Sequence, residues 1–249
     1  MGRTFAIGDI HGDLIALEIL LSRLPELDKH DTLVFTGDYL DRGPDSAGVI
    51  DRVRQLQRES HAKVIALRGN HEDAWLRVID IGWPEFLQPP GNGCLAAMRS
   101  FSAGRVPKSG EQPTPEEREV IRRGSFFPAE IVTWMRDLPY WFEDHHAIYV
   151  HAGLPRIRGA FAHPSTVPSR AMLLWLRDED FFRNYSGKLV VFGHTATAFL
   201  PPELSTYTPE DPLDIWAGPC CVGLDTGAGK GGFLTALELP EMVVYESRY

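Results

Sequence analysis

Cysteine is scarce in this chain of 249 residues, which contains only 3. Cys94 stands alone, and Cys220 and Cys221 are adjacent, a spacing that would strain a disulfide between them. Because no two cysteines are separated by two residues, a zinc site built from thiolates is not expected. Sparse cysteine is typical of proteins in a reducing compartment, so we expect a cytoplasmic protein.

Two further absences narrow the choice of function. No stretch approaches the roughly 18 consecutive apolar residues of a membrane span, and the first residues do not resemble a secretion signal. Lysine and arginine never cluster beyond a pair, and the formal net charge is −9. Proteins that bind the nucleic-acid backbone usually carry a basic stripe, so we expect neither a nucleic-acid partner nor a membrane partner.

What the chain does contain is the composition of an ordinary globular domain, with 43% hydrophobic and 24% charged residues. Its length suits one α/β domain, and we predict a single domain over residues 1–249. Apolar runs that predict buried strands alternate with amphipathic stretches that predict helices: strands at 3–7, 32–35 and 63–67, helices at 13–24, 44–59 and 72–81. This alternation predicts parallel strands joined by right-handed crossovers.

The second half of the chain continues the α/β pattern after an interruption. Residues 83–127 are rich in glycine and proline, and we predict an insertion with one short helix opened by a capping box at Thr114–Glu117. The insertion is either a cap that shapes the substrate site or a surface excursion. Beyond it we predict helices at 128–138 and 170–182 and strands at 147–150, 189–192, 220–224, 233–239 and 242–246, the last three antiparallel.

A candidate metal ligand follows the apolar run at five predicted strand ends, in most cases directly after a glycine. These residues are Asp9, His11, Asp38, Asn70, His151 and His194. Ligands bind at the carboxyl ends of strands in open α/β sheets, so we expect the six side chains to share one edge. Oxygen and imidazole donors without thiolate suit manganese, iron or catalytic zinc. One such residue could simply cap a helix, but the repetition favours a metal centre.

The motifs at these strand ends resemble those of the calcineurin-like metallophosphoesterases, and more narrowly the bacterial and phage form of the phosphoprotein phosphatase family. They are Gly-Asp-Ile-His-Gly from Gly8, Gly-Asp-Tyr-Leu-Asp-Arg-Gly from Gly37, Gly-Asn-His-Glu from Gly69, His-Ala-Gly-Leu from His151 and Gly-His-Thr from Gly193. The match extends from Asp9 to about Gly232. The resemblance implies an αββα sandwich of two mixed β-sheets flanked by helices, with the active site at the strand-end loops.

The resemblance also implies a role for each candidate ligand. One divalent metal ion would be held by Asp9, His11 and Asp38. Asp38 would bridge to a second ion, whose other ligands would be Asn70, His151 and His194. Two such ions, with manganese expected and iron or zinc as alternatives, polarise phosphoryl oxygens and lower the pKa of a bridging water for direct attack.

Four further residues gain roles from the same resemblance. His71 follows a ligand and could protonate the leaving oxygen, with Asp41 orienting its imidazole. Arg42 and Arg177 would clamp the phosphate. His71 could instead cap the helix that follows it, and Arg177 could be a surface residue on an apolar helix.

The segment Gly227–Gly232 matches a dinucleotide-binding pattern but has a different explanation. The residues after it predict a strand, whereas a dinucleotide site needs a helix at that point. We therefore predict a glycine-rich hairpin whose loop borders the active site.

These expectations lead to a metal-dependent phosphoesterase with two open substrate classes. With Asp41 and Glu72, the motifs resemble those of the phosphatase branch more than those of the tetraphosphatases. We therefore predict a serine/threonine protein phosphatase, with phosphotyrosine as a further candidate substrate. The alternative is a bis(5'-nucleosyl)-tetraphosphatase, which hydrolyses diadenosine tetraphosphate. The element Asp225-Thr226-Gly227 occurs in bacterial members of both branches and does not decide between them. A non-catalytic binding module is disfavoured because all six ligands are present, and a nuclease because no stripe of basic and aromatic residues exists.

We predict that no phosphoenzyme forms, because no serine, cysteine or aspartate is left over as a nucleophile: Asp9 and Asp38 are expected ligands, and Asp41 is expected to orient His71. Labelled solvent oxygen should therefore enter the phosphate product within a single turnover. Recovery of a covalent phosphoenzyme after rapid quenching would contradict this prediction.

Overall fold

Two five-stranded mixed β-sheets form the centre of the computed structural model, which describes residues 2–206, 211 and 213–248. The strands are β1 (Thr4–Ile7), β2 (Thr32–Phe35), β3 (Lys63–Ala66), β4 (Trp141–Glu143), β5 (Ile148–Val150), β6 (Arg156–Ile157), β7 (Ala160–Phe161), β8 (Val190–Phe192), β9 (Trp216–Ala217), β10 (Cys221–Gly223), β11 (Thr235–Leu239) and β12 (Val243–Glu246). The helices are α1 (Leu14–Arg23), α2 (Ser46–Glu59), α3 (Asn70–Ile81), α4 (Pro84–Leu87), α5 (Cys94–Phe101), α6 (Pro115–Arg123), α7 (Ala129–Asp137), α8 (Met172–Trp175) and α9 (Glu179–Asn184).

Each sheet contains three neighbouring parallel strands and two strands with antiparallel pairing; the parallel strands form one side of the first sheet and the centre of the second. The first sheet has the order β12-β11-β1-β2-β3, in which β1, β2 and β3 are parallel while β11 and β12 are antiparallel. The second sheet has the order β4-β5-β8-β10-β9, in which β5, β8 and β10 are parallel. The small hairpin of β6 and β7 stands apart from both sheets. The predicted α/β fold with two mixed sheets flanked by helices is therefore confirmed.

A shared apolar layer joins the two sheets. Successive side chains of a strand point to opposite faces, so in β1 Phe5 and Ile7 pack against the helices while Ala6 faces the other sheet. The layer between the sheets also contains Val34 and Leu237 from the first sheet and Tyr149, Val191 and Val222 from the second. Because both faces of these strands are buried, their sequences are continuous apolar runs.

Two predicted features of the second half are wrong in detail. Residues 170–182 form not one helix but α8 and α9, because Leu176 is extended and Asp178 starts a new helix by accepting the N–H of Asp180. The strand predicted at 220–224 is β10, which pairs parallel with β8, whereas only its pairing with the short β9 is antiparallel as predicted. A long connection separates β8 from β10, and parallel pairing requires such a crossover.

The start of α2 also differs slightly from the prediction. The helix begins at Ser46 and not at Pro44, because Asp45 is its N-cap and accepts the N–H of Gly48 at 2.8 Å. The loop from Gly37 to Gly43 between β2 and this helix is present as predicted.

The segment 83–127, which we predict to be an insertion, packs onto the helices of the first sheet. Its predicted capping box is confirmed, since the N–H groups of Glu117 and Thr114 each donate to the side chain of the other residue. Leu95, Met98 and Ile121 belong to the same buried cluster as the helices beside the first sheet. No helix in the described parts of the chain combines the length and apolar character needed to cross a membrane.

We predict that Leu237→Ala destabilises the fold by about 2–5 kcal/mol, because it removes a fully buried side chain from the layer between the sheets. Urea unfolding should show a lower midpoint with an unchanged slope. The control is Val243→Ala, since Val243 lies on the edge strand β12 with 42% of its surface exposed and should change stability by no more than about 0.5 kcal/mol. Equal effects of the two substitutions would contradict the buried layer.

Candidate metal centre

The carboxyl ends of strands from both sheets bring the six predicted metal ligands together. Four of the residues follow strands of the first sheet and two follow strands of the second. They are Asp9 and His11 after β1, Asp38 after β2, Asn70 at the start of α3, His151 after β5 and His194 after β8. All six are buried. Neither sheet supplies the full set on its own.

Three of these residues converge on one point. Asn70 Oδ1 lies 2.8 Å from His151 Nε2 and 2.8 Å from His194 Nδ1. His151 Nδ1–H donates a hydrogen bond to the carbonyl oxygen of Thr36 at 2.9 Å. The lone pair of the neutral His151 imidazole is therefore on Nε2, which faces the Asn70 oxygen. Both atoms present lone pairs to the same small space, and a cation held by both would remove their mutual repulsion. The group therefore fits a metal ion.

A second group of candidate metal ligands surrounds His11 in a similar way. Its Nδ1 lies 3.0 Å from the carbonyl oxygen of Leu40, which fixes the proton there and leaves the lone pair on Nε2, where Arg42 is the neighbouring donor. His11 Nε2 lies 3.4 Å from Asp38 Oδ2 and 3.9 Å from Asp9 Oδ2. The other oxygen of Asp38, Oδ1, lies 3.5 Å from His151 Nε2. Asp38 thus presents one oxygen to each group, as a bridging ligand would.

The electrostatics of the site also suit divalent cations. Burial lowers the pKa of His11, His151 and His194, which keeps their imidazoles in the neutral form that binds metal. Burial, together with the charges of Asp225 and Asp38, raises the pKa of Asp9 well above its usual range. Asp9 Oδ1 and His194 Nε2 are buried without a hydrogen-bond partner among the described residues. The donor set therefore fits a pair of metal ions, which would offset the buried negative charge.

Steric crowding explains why glycine precedes several of the candidate ligands. A Cβ atom at Gly69 would lie 2.2 Å from Asp38 Oδ1, and one at Gly193 would lie 2.0 Å from Asp9 Oδ1. Any side chain at either position would displace a carboxylate of the site. The recurring order of apolar strand, glycine and ligand thus reflects how closely the strand ends approach each other.

The backbone of the site is held in an uncommon conformation. Of the 8 non-glycine residues with positive φ in the described chain, 5 are candidate site residues. They are His11 (48°), Asp38 (56°), Asp41 (71°), Arg42 (66°) and His194 (64°). Such angles cost free energy for residues with a side chain and persist only where surrounding structure enforces them. Their concentration here marks the strand-end loops as a functional site.

His71 lies beside the two groups, fixed by a carboxylate. Its Nδ1 is 2.6 Å from Asp41 Oδ2, and Trp75 Nε1 donates to Asp41 at 3.0 Å. Burial works against the charged imidazolium, but the neighbouring Asp38 and then the hydrogen bond that His71 donates to Asp41 raise the pKa of His71 above its usual value. His71 Nε2 lies 3.9 Å from Asp38 Oδ2. His71, His11 and Asp38 are also close enough together to ligate an ion.

Both predicted phosphate clamps reach one cavity at the edge of the site. The cavity has a volume of about 1160 Å³ and is lined by Arg42, Arg177 and His194, among others. Arg42 also contacts His11 Nε2. Arg177 lies in the irregular link between α8 and α9, and not within a helix as predicted.

Several residues that hold the site were not assigned a role from the sequence. Glu72 accepts backbone N–H groups from Gly69, Asp38 and Tyr39, although the sequence had suggested only a family resemblance at this position. Trp75 lies one helical turn after His71, and that spacing could have identified it as a neighbour.

The glycine-rich hairpin borders the site as predicted. A Cβ atom at Gly229 would lie 2.3 Å from the carbonyl oxygen of His11, so the hairpin packs directly on the loop after β1. Lys230 Nζ lies 3.3 Å from the buried Asp225 Oδ2 and also lines the cavity. The sequence had suggested no individual role for Gly229 or Lys230.

Comparison with known proteins identifies relatives along nearly the whole chain. The profile of the family described as calcineurin-like phosphoesterase matches residues 2–198. A protein from Oceanobacillus iheyensis named bis(5'-nucleosyl)-tetraphosphatase PrpE, asymmetrical, is 28% identical over 94% of this chain and 88% of its own length. A protein of the same name from Anoxybacillus flavithermus is 26% identical over 95% of this chain and 90% of its own length.

Solved structures share the fold at low sequence identity. The structure of a cold-active protein-tyrosine phosphatase from a Shewanella species has a TM-score of 0.55 and 17% identity, covering 95% of this chain and 75% of that protein. At this identity the likeness shows the fold alone.

We predict that Asp38→Asn lowers the metal content of the protein, whereas His71→Gln leaves it at two ions per chain. Asp38 faces both groups, while His71 is held by Asp41 beside them. His71→Gln should still lower kcat by about 10²–10⁴-fold, because a proton donor is lost. Elemental analysis of desalted, manganese-loaded protein measures the content. If His71→Gln lost metal to the same extent as Asp38→Asn, His71 would instead be a ligand.

Proposed function

Because the chain belongs to the calcineurin-like phosphoesterase family, we propose that this metal-dependent phosphoric ester hydrolase cleaves dinucleoside tetraphosphates. The observation that carries the proposal is the charge of the cavity at the edge of the site. Its lining contains six basic side chains and one acidic side chain, Glu111. The basic residues are Arg42, Lys108, Arg118, Arg122, Arg177 and Lys230.

This concentration of positive charge is unusual for the molecule. The chain as a whole has a net charge of −9, whereas the lining of the cavity has an excess of basic side chains, two of which, Lys230 and Arg122, form ion pairs with Asp225 and Glu119 outside the lining. A single phosphorylated side chain would need one or two arginine clamps, whereas a polyphosphate chain can pair with several cations in succession. The insertion contributes Lys108, Arg118 and Arg122, so it extends the cationic lining beyond the strand ends. The arrangement suits an elongated polyanion better than a phosphomonoester.

The comparisons support the same substrate class. Relatives that match nearly the full chain are named as asymmetrical bis(5'-nucleosyl)-tetraphosphatases. The prediction of a protein phosphatase is not confirmed, and its alternative has the better support. Asp41 and Glu72, which had favoured the phosphatase, are fully buried and do not line the cavity. They fix His71 and the loop backbones, so they carry little information about the substrate.

Each group of site residues has its own role in the proposed reaction. Asp9, His11, Asp38, Asn70, His151 and His194 would hold two divalent cations, for which manganese, iron and zinc suit the donor set. Such a pair supplies Lewis acidity and lowers the pKa of water. Arg42 and Arg177 bind and orient the phosphoryl group at the mouth of the site. His71, oriented through Nδ1 by Asp41, holds at Nε2 the proton that the leaving phosphate oxygen takes.

The test compares kcat/KM for diadenosine tetraphosphate and for a phosphoserine peptide with manganese-loaded protein. We expect at least a tenfold preference for the dinucleotide, and AMP with ATP as the products, since the full-length relatives are named asymmetrical. Asp38→Asn serves as the blank. A preference for the peptide would establish the protein phosphatase instead. Metal-loaded protein that hydrolysed neither substrate would favour a non-catalytic binding module.

A further inference from the structure

Two large apolar side chains that line the cavity with the basic residues are exposed to solvent. Phe199 is 83% exposed and Val106 is 57% exposed, and both line the cavity. The other strongly exposed large apolar residues of the described chain lie elsewhere: Ile15, Ile81, Leu213 and Val243. An exposed aromatic ring and several cationic side chains therefore line the same cavity.

The exposure of Phe199 is enforced by its surroundings. Phe199 ends a single 3₁₀ turn, Thr197–Phe199, that begins shortly after His194. The N–H of Thr197 donates to the carbonyl oxygen of Asp225 at 3.0 Å, and the next residue, Leu200, is buried in the core beside the second sheet. The turn is thus tethered on both sides of the exposed ring. Holding a phenyl ring in water forgoes the stabilisation that burial would give. Single exposed apolar residues are common on protein surfaces, and what distinguishes this ring is its place in the lining of the cationic cavity.

The position of the ring relative to the cations suggests what it contacts. Phe199 belongs to the segment that also carries His194 and Thr195 along the wall of the cavity, and Arg177 and Lys230 line the same cavity. A ligand whose phosphates pair with these cations would bring its attached groups against the ring. Nucleobases stack on aromatic side chains with little dependence on base identity.

Resting on the proposed function, we propose that Phe199 determines specificity by stacking on a nucleobase of the substrate while the cationic side chains bind its phosphates. Ligand sites combine apolar and aromatic walls with a few polar groups that fix orientation, as this cavity does. A substrate without a base would gain nothing from Phe199. The residue thus distinguishes nucleoside polyphosphates from inorganic polyphosphates.

The experiment measures binding by calorimetry, so it does not depend on turnover. The probes are the β,γ-imido analogue of ATP and imidodiphosphate, which lacks a base. In Phe199→Leu, we expect affinity for the ATP analogue to fall at least about fivefold, and affinity for imidodiphosphate to stay within about twofold. Phe199→Tyr should restore binding, because it keeps the ring. Ile81→Ala is the matched control, since Ile81 is 75% exposed but does not line the cavity.

Three results would overturn the inference. These are unchanged affinity of Phe199→Leu for the ATP analogue, an equal loss for both probes, or a loss confined to a phosphoserine peptide tested in parallel. Hydrolysis of diadenosine tetraphosphate by the unaltered protein is assayed separately. If binding depends on Phe199 but no hydrolysis occurs, the base site stands and the proposed function fails. If hydrolysis occurs but the substitutions leave nucleotide binding unchanged, the proposed function stands and the base site fails.

Discussion

The carboxylate of Glu72 holds together the two loops on which the metal centre depends. It accepts the backbone N–H groups of Gly69 at 2.9 Å, Asp38 at 3.0 Å and Tyr39 at 2.9 Å, without any exposure to solvent. Burial and the nearby charge of Asp38 raise the pKa of Glu72 to about 7, and the three N–H donors act in the opposite direction by stabilising its anion. Because these donors belong to the loops after β2 and β3, the carboxylate fixes Asp38 relative to Asn70. Asp38 can bridge two ions only if its position relative to Asn70 is fixed.

The uncommon backbone angles of the site depend on the same bracing. Asp38, Asp41 and Arg42 all have positive φ within one loop, and a free loop would relax away from such angles. Backbone hydrogen bonds complete the support, since the N–H groups of Ile10 and His11 both donate to the carbonyl oxygen of Asp38. The loops of β1, β2 and β3 therefore form one interlocked unit. The second sheet adds His151 and His194 to a framework that the first sheet holds in place.

The sequence predicted the parts of this arrangement that local patterns encode. Short apolar runs predicted the strands, and the residues that follow them predicted which side chains would meet, because parallel strands end at a common edge. The direction of β10 depended on a crossover that no local pattern records. The break at Leu176 could have been read from Asp178, a favourable N-cap, but the apolar character of the segment concealed it. The cationic cavity and the position of Phe199 combine distant segments, so only the folded structure reveals them.

The place of β11 within the first sheet has a consequence for how the molecule is made. β1 lies between β2 and β11, so during synthesis this strand acquires one of its two neighbours only when residues 235–239 have emerged. Until then one edge of β1 offers unpaired N–H and carbonyl groups beside an apolar face. Such an edge can pair with the strand of another nascent chain. During synthesis this edge therefore stays open to other chains until β11 has emerged and paired with β1.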